Sequence, residues 1–389
     1  MRRNVILLAS CQALFMTSTS MVITVTALAG SLCAPVPGLA TLPLSLQFIA
    51  TMATTVPASY VMRRFGRRAG FVLGALMGGV GGTINVFGLM AGSFLLFCVG
   101  SALIGVLAGF AIYYRFAAAE CADDEFRSRA ISLVLAGGVI AAFAGPNLAR
   151  VSADFIGGAT FSGTFAALAA LQVVTIGLLF FVDIPGLTKA ERHEQGRPLG
   201  RILRQPAAVV AILAAVAGYS SMSLVMTATP LAVVGYAHSF SDAAFIIQWH
   251  VLAMFAPSFV TGSLIKRFGA LRIIASGAVL MLLCVIINLQ GTGLLYFTVA
   301  LVALGVGWNF MFVGGTSLLT TTATRSEQAK VQGLNEFLMF GAVALASLSS
   351  GALHQSLGWA AVNLGAVPVV AVALAAALWL WLGRAPKAA

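Results

Sequence analysis

The protein has 389 residues, of which 60% are hydrophobic and only 8% are charged, and its mean hydropathy is +1.00. One water-soluble core of ordinary size cannot hide that much apolar surface, so the composition excludes a soluble globular protein. The net charge of +11 does not indicate a nucleic-acid partner, because the basic residues lie in short turns between apolar runs rather than in one patch.

Twelve apolar stretches are long enough to cross a hydrocarbon layer of about 30 Å as helices. They are continuous rather than alternating with a period of two, which favours helices over a β-barrel. We therefore predict an all-α polytopic membrane protein. The predicted spans cover residues 5–30, 41–62, 69–89, 94–118, 130–149, 160–182, 206–235, 244–265, 271–290, 293–320, 331–353 and 360–383.

The basic residues define an orientation, because they fall in alternate connections between the predicted spans. After Arg2 and Arg3, the basic segments are 63–68, 127–129, 189–204, 266–272, 325–330 and 384–387. Of the 22 Lys and Arg residues, Arg150 is the only one that we place on the opposite side. By the positive-inside rule we expect both termini to be cytoplasmic and the protein to lie in a bacterial inner membrane.

One long hydrophilic connection, residues 183–205, has six predicted spans on each side. We therefore predict an N-terminal bundle of residues 1–182, a cytoplasmic linker, and a C-terminal bundle of residues 206–389.

Two pairs of turns indicate that a six-helix unit is duplicated. Gly66 and Gly269 lie in the first pair and are 203 residues apart, which is close to half of the chain length. The matching segments are RRFGRR (63–68) with KRFGALR (266–272), and FRSRAIS (126–132) with EQAKVQG (327–333).

The chain resembles the major facilitator superfamily of secondary transporters over essentially its whole length. In that family the turn after the second span reads Gly-x-Leu-Ala-Asp-Arg-x-Gly-Arg-Arg/Lys, which SYVMRRFGRR (59–68) resembles. Ser59 stands where the family has Gly, and Arg63 stands where it has Asp. The positions that match the family pattern are Arg64, Gly66, Arg67 and Arg68.

Two further segments show weaker resemblances. SALIGVLAG in span four keeps the spacing of Gly105 and Gly109 but has Ser101 in place of the usual Arg. AGPNLA (144–149) is similar to the Gly-Pro element of family antiporters, without its trailing glycines. These departures affect the subfamily rather than the superfamily.

The resemblance implies two six-helix halves around a central site lined by spans 1, 4, 7 and 10. Trp308 and Asn309 combine a flat apolar ring with an amide, which suits an organic ligand with a ring system. The alternatives are helix packing for Trp308 and, for Arg115, a side chain that reaches the nearer membrane interface. The candidate substrate-binding residues on these spans are Gln12, Tyr113, Tyr114, Arg115, Tyr219, Trp308 and Asn309.

The resemblance also implies that the turn after span two acts as a cytoplasmic latch that engages the start of span eleven. Because Arg63 replaces the family's Asp, its partner should be acidic. Glu336 lies about six residues inside span eleven, where an unpaired carboxylate is costly. We hypothesise that Glu336 pairs with Arg63 or Arg64; the alternative is that the arginines only set orientation. The other latch candidates are Gly66, Arg67, Arg68, Glu120 and Arg127.

Two residues are candidates for proton coupling. His250 in span eight can titrate near neutral pH, although a core histidine with a satisfied hydrogen bond is the more usual case. Glu336 is the second candidate. Pro257, also inside span eight, can supply a kink for alternating access.

We predict a secondary active transporter that moves a small organic solute by alternating access, as a monomer, with uptake or efflux open. The sequence contains no Gly-x-x-x-x-Gly-Lys-Ser/Thr loop, and we expect neither ATP hydrolysis nor a cofactor or metal. A multidrug or metabolite efflux antiporter is the alternative. An intramembrane enzyme would need a His/Asp/Glu cluster at membrane depth, and a channel a charged or carbonyl-rich filter.

Overall fold

The computed structural model describes residues 2–114, 117–118, 121, 127–184 and 197–384, and the regular structure in these ranges is helical. The helices of the N-terminal half are α1 (Arg2–Cys33), α2 (Leu42–Phe65), α3 (Arg67–Met90), α4 (Phe94–Ala111), α5 (Arg127–Ser152) and α6 (Ser162–Phe180). Helix α4 ends seven residues before the predicted end of span four, because Ile112 and Tyr113 form a turn.

The C-terminal half follows a five-residue helix, Leu199–Leu203. Its first helices are α7 (Pro206–Gly235), α8 in two segments (Phe240–Phe255 and Ser258–Phe268), α9 (Ala270–Gln290) and α10 (Leu294–Thr320). The last helical stretch, Arg325–Arg384, has 60 residues. It would be about 90 Å long if straight, roughly three times the hydrocarbon thickness. It breaks at Gly358 (φ 78°), so we call residues 325–357 α11 and residues 359–384 α12.

These helices account for the twelve predicted spans. In the described ranges nine helical stretches are long and apolar enough to cross a membrane, and the two segments of α8 together make a tenth. The break at Gly358 divides one of the nine into α11 and α12, and α5 occupies the position of predicted span five.

The two halves have matching helix packing. In the first half, α1 packs on α5, α2 and α3 pack on α4, and α3 packs on α6. In the second half α8 and α9 pack on α10. Ser350 of α11 bonds to Leu224 of α7, and Asn288 of α9 bonds to Asn363 of α12, so these helices form the equivalent pairs. The contacts between the halves are also related in this way, because α5 packs on α8 and α2 packs on α11. The duplicated six-helix unit is therefore present in the fold, as two pseudo-symmetric bundles.

The Arg-Phe-Gly turns have the same geometry in both halves. Gly66 (φ 92°, ψ 155°) joins α2 to α3, and Gly269 (φ 86°, ψ 149°) joins α8 to α9. In each turn the arginine guanidinium lies over the ring of the following phenylalanine, with 5.4 Å from the Arg64 carbon to the ring centroid and 5.2 Å for Arg267. A positive φ with an extended ψ is essentially restricted to glycine, which explains why both turns carry glycine.

Replacing Gly66 or Gly269 by alanine is expected to lower the unfolding free energy by about 1–3 kcal/mol each, because the backbone must remain in a glycine region. Apart from the two chain neighbours, no atom of the described residues lies within 4 Å of an added Cβ at either position, so the cost is conformational. Thermal melting of the purified variants measures it. Gly177→Ala is the control: this helical glycine in α6 is exposed and an added Cβ also meets nothing. Equal melting temperatures for all three variants would contradict the prediction.

The halves contact each other closely at the end of the bundle that lies away from the two termini. The Asn147 amide of α5 donates to the Gln248 amide oxygen of α8 at 2.6 Å. At the related contact, a Cβ on Gly351 of α11 would lie 2.5 Å from the Thr41 hydroxyl at the start of α2. The conformation is thus closed at this end.

Candidate functional site

Five aromatic rings from four helices meet in the C-terminal half, and we call them the aromatic cluster. The Trp308 and Phe312 rings of α10 are stacked, with centroids 5.0 Å apart and planes 7° from parallel. The cluster residues are Tyr219 (α7), Phe255 (α8), Trp308 and Phe312 (α10), and Phe340 (α11).

Tyr219 lies at the centre of the cluster. Its ring centroid is 5.3 Å from that of Trp308, 5.9 Å from Phe312 and 6.0 Å from Phe340. It also packs against a buried cluster in which residues of α1, α2 and α4 meet Val343 and Ala344 of α11, so it lies beside the contact between the two halves. Such a position, between the halves and partway along the bundle, is where an alternating-access transporter holds its substrate.

Trp308 has an unused hydrogen-bond donor. Its side chain is only 4% exposed, and its indole Nε1 has no hydrogen-bond partner among the described residues. A buried N–H without a partner costs free energy, and Trp N–H groups usually find one. A flat ligand with a carbonyl at its edge would stack on the rings and accept this hydrogen bond.

Asn309 uses its whole amide within the protein. Its Nδ2 donates to the Met254 carbonyl at 2.7 Å and to the Ser258 hydroxyl at 2.6 Å, and its Oδ1 accepts from the Thr261 hydroxyl at 2.7 Å. All of these partners belong to α8, on either side of its break. The predicted role of Asn309 in direct substrate contact is therefore less well supported than that of Trp308.

The N-terminal candidates are dispersed. The Tyr113 hydroxyl donates to the Thr55 carbonyl of α2 at 2.8 Å. Tyr114 is 1% exposed and packs on Phe71, with ring centroids 4.4 Å apart, inside the N-terminal half. Gln12 is buried on α1. Of the six predicted substrate residues that the structure describes, it brings Tyr219 and Trp308 into one aromatic cluster.

Several predicted residues cannot be placed. Arg115 and Glu120 lie outside the described residues, as do the side chains of Arg63 and Arg127. The Arg63–Glu336 latch therefore stays a prediction. Among its other members, Arg68 lies over the Phe180 ring of α6 at 5.3 Å, and Arg67 is partly buried at the start of α3.

The two proton-coupling candidates have different surroundings. The His250 Nδ1 lies 2.8 Å from the Leu301 carbonyl, to which it donates, and its buried Nε2 has no partner among the described residues. A second proton on His250 would bury an unpaired charge. Glu336 is partly buried on α11, and its carboxylate is close enough to Tyr219 for an electrostatic interaction. Glu336 precedes Phe340 of the aromatic cluster by four residues on α11.

An ion pair joins the linker to the C-terminal half. The Arg197 Nε and Nη2 donate to the two carboxylate oxygens of Glu327, both at 2.7 Å, and Arg197 also donates to the Thr322 carbonyl. These charged hydrogen bonds hold the pKa of the Glu327 carboxyl well below its usual range. The predicted latch did not include this pair, whose members are 130 residues apart.

Family membership follows from comparison over the whole chain. The family model of the Major Facilitator Superfamily matches residues 5–287 and 211–389. The chain belongs to the major facilitator superfamily.

Individual relatives agree with this membership. The chain is 44% identical over 375 residues to the riboflavin transporter RfnT of Brucella anthropi, covering 96% of this chain and 94% of that protein. It is 32% identical to the MFS-type transporter YddS of Bacillus subtilis, covering 75% of this chain and 70% of that protein. A partially occluded, inward-open structure of the Escherichia coli xylose transporter XylE has the same fold, with a TM-score of 0.73, 15% identity, and 99% and 98% of the two chains covered.

This superfamily member is therefore an integral membrane transporter of the major facilitator fold, and not an enzyme. Sequence reasoning missed Phe255, Phe312 and Phe340. Phe312 carried a signal, because it follows Trp308 by four residues and so lies on the same face of the helix. Phe255 and Phe340 come from other helices and needed the tertiary structure.

Proposed function

We propose that this transporter carries riboflavin across the membrane. The observation that carries the proposal is the 44% identity to a riboflavin transporter over 96% of the chain. The aromatic cluster supports it, since riboflavin contains a flat tricyclic ring with carbonyl groups at one edge. The partly buried rings of Tyr219 and Phe312 and the buried ring of Trp308 offer apolar surface for stacking.

The Trp308 N–H, for which the described part of the chain offers no acceptor, suits a carbonyl on such a ring. Stacking of a flat heterocycle on aromatic side chains contributes about 1–3 kcal/mol per ring. We propose Tyr219, Trp308 and Phe312 as the main ring contacts, with Gln12, Tyr113, Arg115 and Asn309 as weaker candidates. Glu336 is the proposed proton-coupling group.

We also propose that both termini are cytoplasmic and that the closed end faces the other side of the inner membrane. The arginines of the described chain support this placement, since those of the Arg-Phe-Gly turns and of the linker lie at the end that carries the termini.

Uptake of labelled riboflavin into proteoliposomes that contain the purified protein tests the function. We expect uptake that saturates and that an excess of unlabelled riboflavin inhibits. We also expect faster uptake when the vesicle lumen is more alkaline than the external buffer. The direction of transport is tested with the same vesicles loaded with riboflavin. Its release is compared between acidic and neutral external buffer. Absence of both uptake and binding, together with transport of unrelated drugs, would favour the efflux antiporter instead.

A further inference from the structure

We propose that Asn309 is a positioning residue, which holds the break in α8 and thereby fixes the spacing between the Phe255 and Trp308 rings of the substrate site. This proposal rests on the proposed function for its ligand, but its geometry does not depend on the ligand.

The break in α8 leaves backbone groups that need partners. Pro257 has no N–H to donate and its ring cannot follow a regular helix, so the segments before and after it meet at 41°. In an unbroken helix the Met254 carbonyl would accept from the Ser258 N–H, four residues later. Here the Asn309 side chain donates to that carbonyl instead.

Asn309 forms hydrogen bonds with residues on both sides of the break. Its Nδ2 reaches Met254 before the break and the Ser258 hydroxyl after it, while its Oδ1 accepts from Thr261, one turn further along. Asn309 and Thr261 are both 0% exposed. A fully satisfied, buried polar network fixes the groups that it joins, because any movement leaves one of them unpaired.

The backbones of α8 and α10 approach closely beside this network. A Cβ on Gly305, one turn before Asn309, would lie 2.6 Å from the His250 carbonyl oxygen and 2.9 Å from the Ala253 Cβ. Helix α10 therefore packs closely against α8 just before the break, through the face that carries Gly305 and Asn309. This close packing leaves little room for α8 to shift.

The aromatic cluster lies directly on this junction. Phe255 follows Met254 at the end of the first α8 segment, and Trp308 precedes Asn309 in α10. Their ring centroids are 6.0 Å apart with planes at 71°. A change in the bend of α8 would move Phe255 relative to Trp308, so the Asn309 network determines the shape of the surface that a flat ligand meets.

The test compares Asn309→Ala with Ser350→Ala. Ser350 is also fully buried and donates between helices, to the Leu224 carbonyl at 2.7 Å, so its loss removes a buried interhelical hydrogen bond away from the α8 break. The protein is labelled with 5-fluorotryptophan, and the fluorine resonance of Trp308 is assigned among those of the five tryptophans from its loss in Trp308→Phe. We expect this resonance to shift in Asn309→Ala and to stay unchanged in Ser350→Ala.

Riboflavin binding provides the second readout. We expect the Kd of Asn309→Ala to rise about tenfold, with the Ser350→Ala value near wild type. Thr261→Val should raise the Kd by part of this amount. Thr261→Ser keeps the hydroxyl and should have a Kd near that of wild type. An unchanged Trp308 resonance, or a shifted one with wild-type affinity, would overturn the proposal. If wild-type protein binds no riboflavin, the proposed function fails, and the resonance alone then decides the role of Asn309.

Discussion

Replacing Trp308 by alanine is expected to raise the Kd for riboflavin by about 10- to 100-fold, because a stacked aromatic contact to a flat heterocycle is worth about 1–3 kcal/mol. The substitution removes the ring that Phe312 stacks upon and Tyr219 and Phe255 pack around. It also removes the buried Nε1–H that has no partner within the described protein. Equilibrium titration of the detergent-solubilised variant, followed by quenching of riboflavin fluorescence, measures the change.

Trp359 provides the matched control for this experiment. It is buried to the same degree, at 3% exposed, and packs on Phe297 with ring centroids 5.4 Å apart, outside the aromatic cluster. Trp359→Ala should lower thermal stability as much as Trp308→Ala does, since both leave a large cavity, but should bind riboflavin normally. Trp308→Phe keeps a flat ring and should show an intermediate Kd. Wild-type affinity in Trp308→Ala would refute the placement of the ring site.

Replacing Glu336 by glutamine is expected to abolish accumulation of riboflavin against its gradient, while binding and riboflavin exchange persist. A partly buried carboxylate near the end of a membrane span can carry a proton, because protonation removes a costly charge when the site closes. Glu336 lies four residues before Phe340 on α11, on the same face of the helix, so we propose that its protonation is coupled to the occupancy of the cluster. Glutamine preserves the size of the side chain but cannot release a proton.

Two assays on the same vesicles separate these effects. Accumulation driven by an imposed proton gradient should fall to background in Glu336→Gln, whereas exchange of internal for external riboflavin should continue. Asp154→Asn, which alters an exposed carboxylate at the closed end, should leave both unchanged. If Glu336→Gln still responds to the gradient and His250→Gln does not, the coupling proton belongs to His250.

Hydropathy was sufficient to predict the helical fold, because a helix that crosses the bilayer needs about twenty apolar residues. Each such helix can therefore be recognised from its own sequence. The repeated Arg-Phe-Gly turn predicted the duplication for a similar reason, since its glycine is required by the backbone alone. The break at Gly358 also agreed with two predicted spans, 331–353 and 360–383, although the helical stretch is continuous apart from it.

The site was only partly predictable, because an all-apolar helix carries little information about which side faces its neighbours. Asn309 and Trp308 are adjacent in sequence, yet the Asn309 amide bonds to α8. The Trp308 ring instead packs against the rings of Tyr219, Phe255 and Phe312. Pro257 predicted a kink in α8, but nothing in the sequence indicated that an amide of α10 would donate a hydrogen bond at the kink. The Arg197–Glu327 pair likewise joins distant segments.

The two contacts between the halves, α5 with α8 and α2 with α11, are related by the pseudo-twofold axis. A tilt of the two halves that preserves their pseudo-twofold relation separates both contacts together. In such a tilt the Asn147–Gln248 and Thr41–Gly351 contacts part together, so we expect the closed end to open in one step. A covalent tie across either contact would arrest the whole transport cycle.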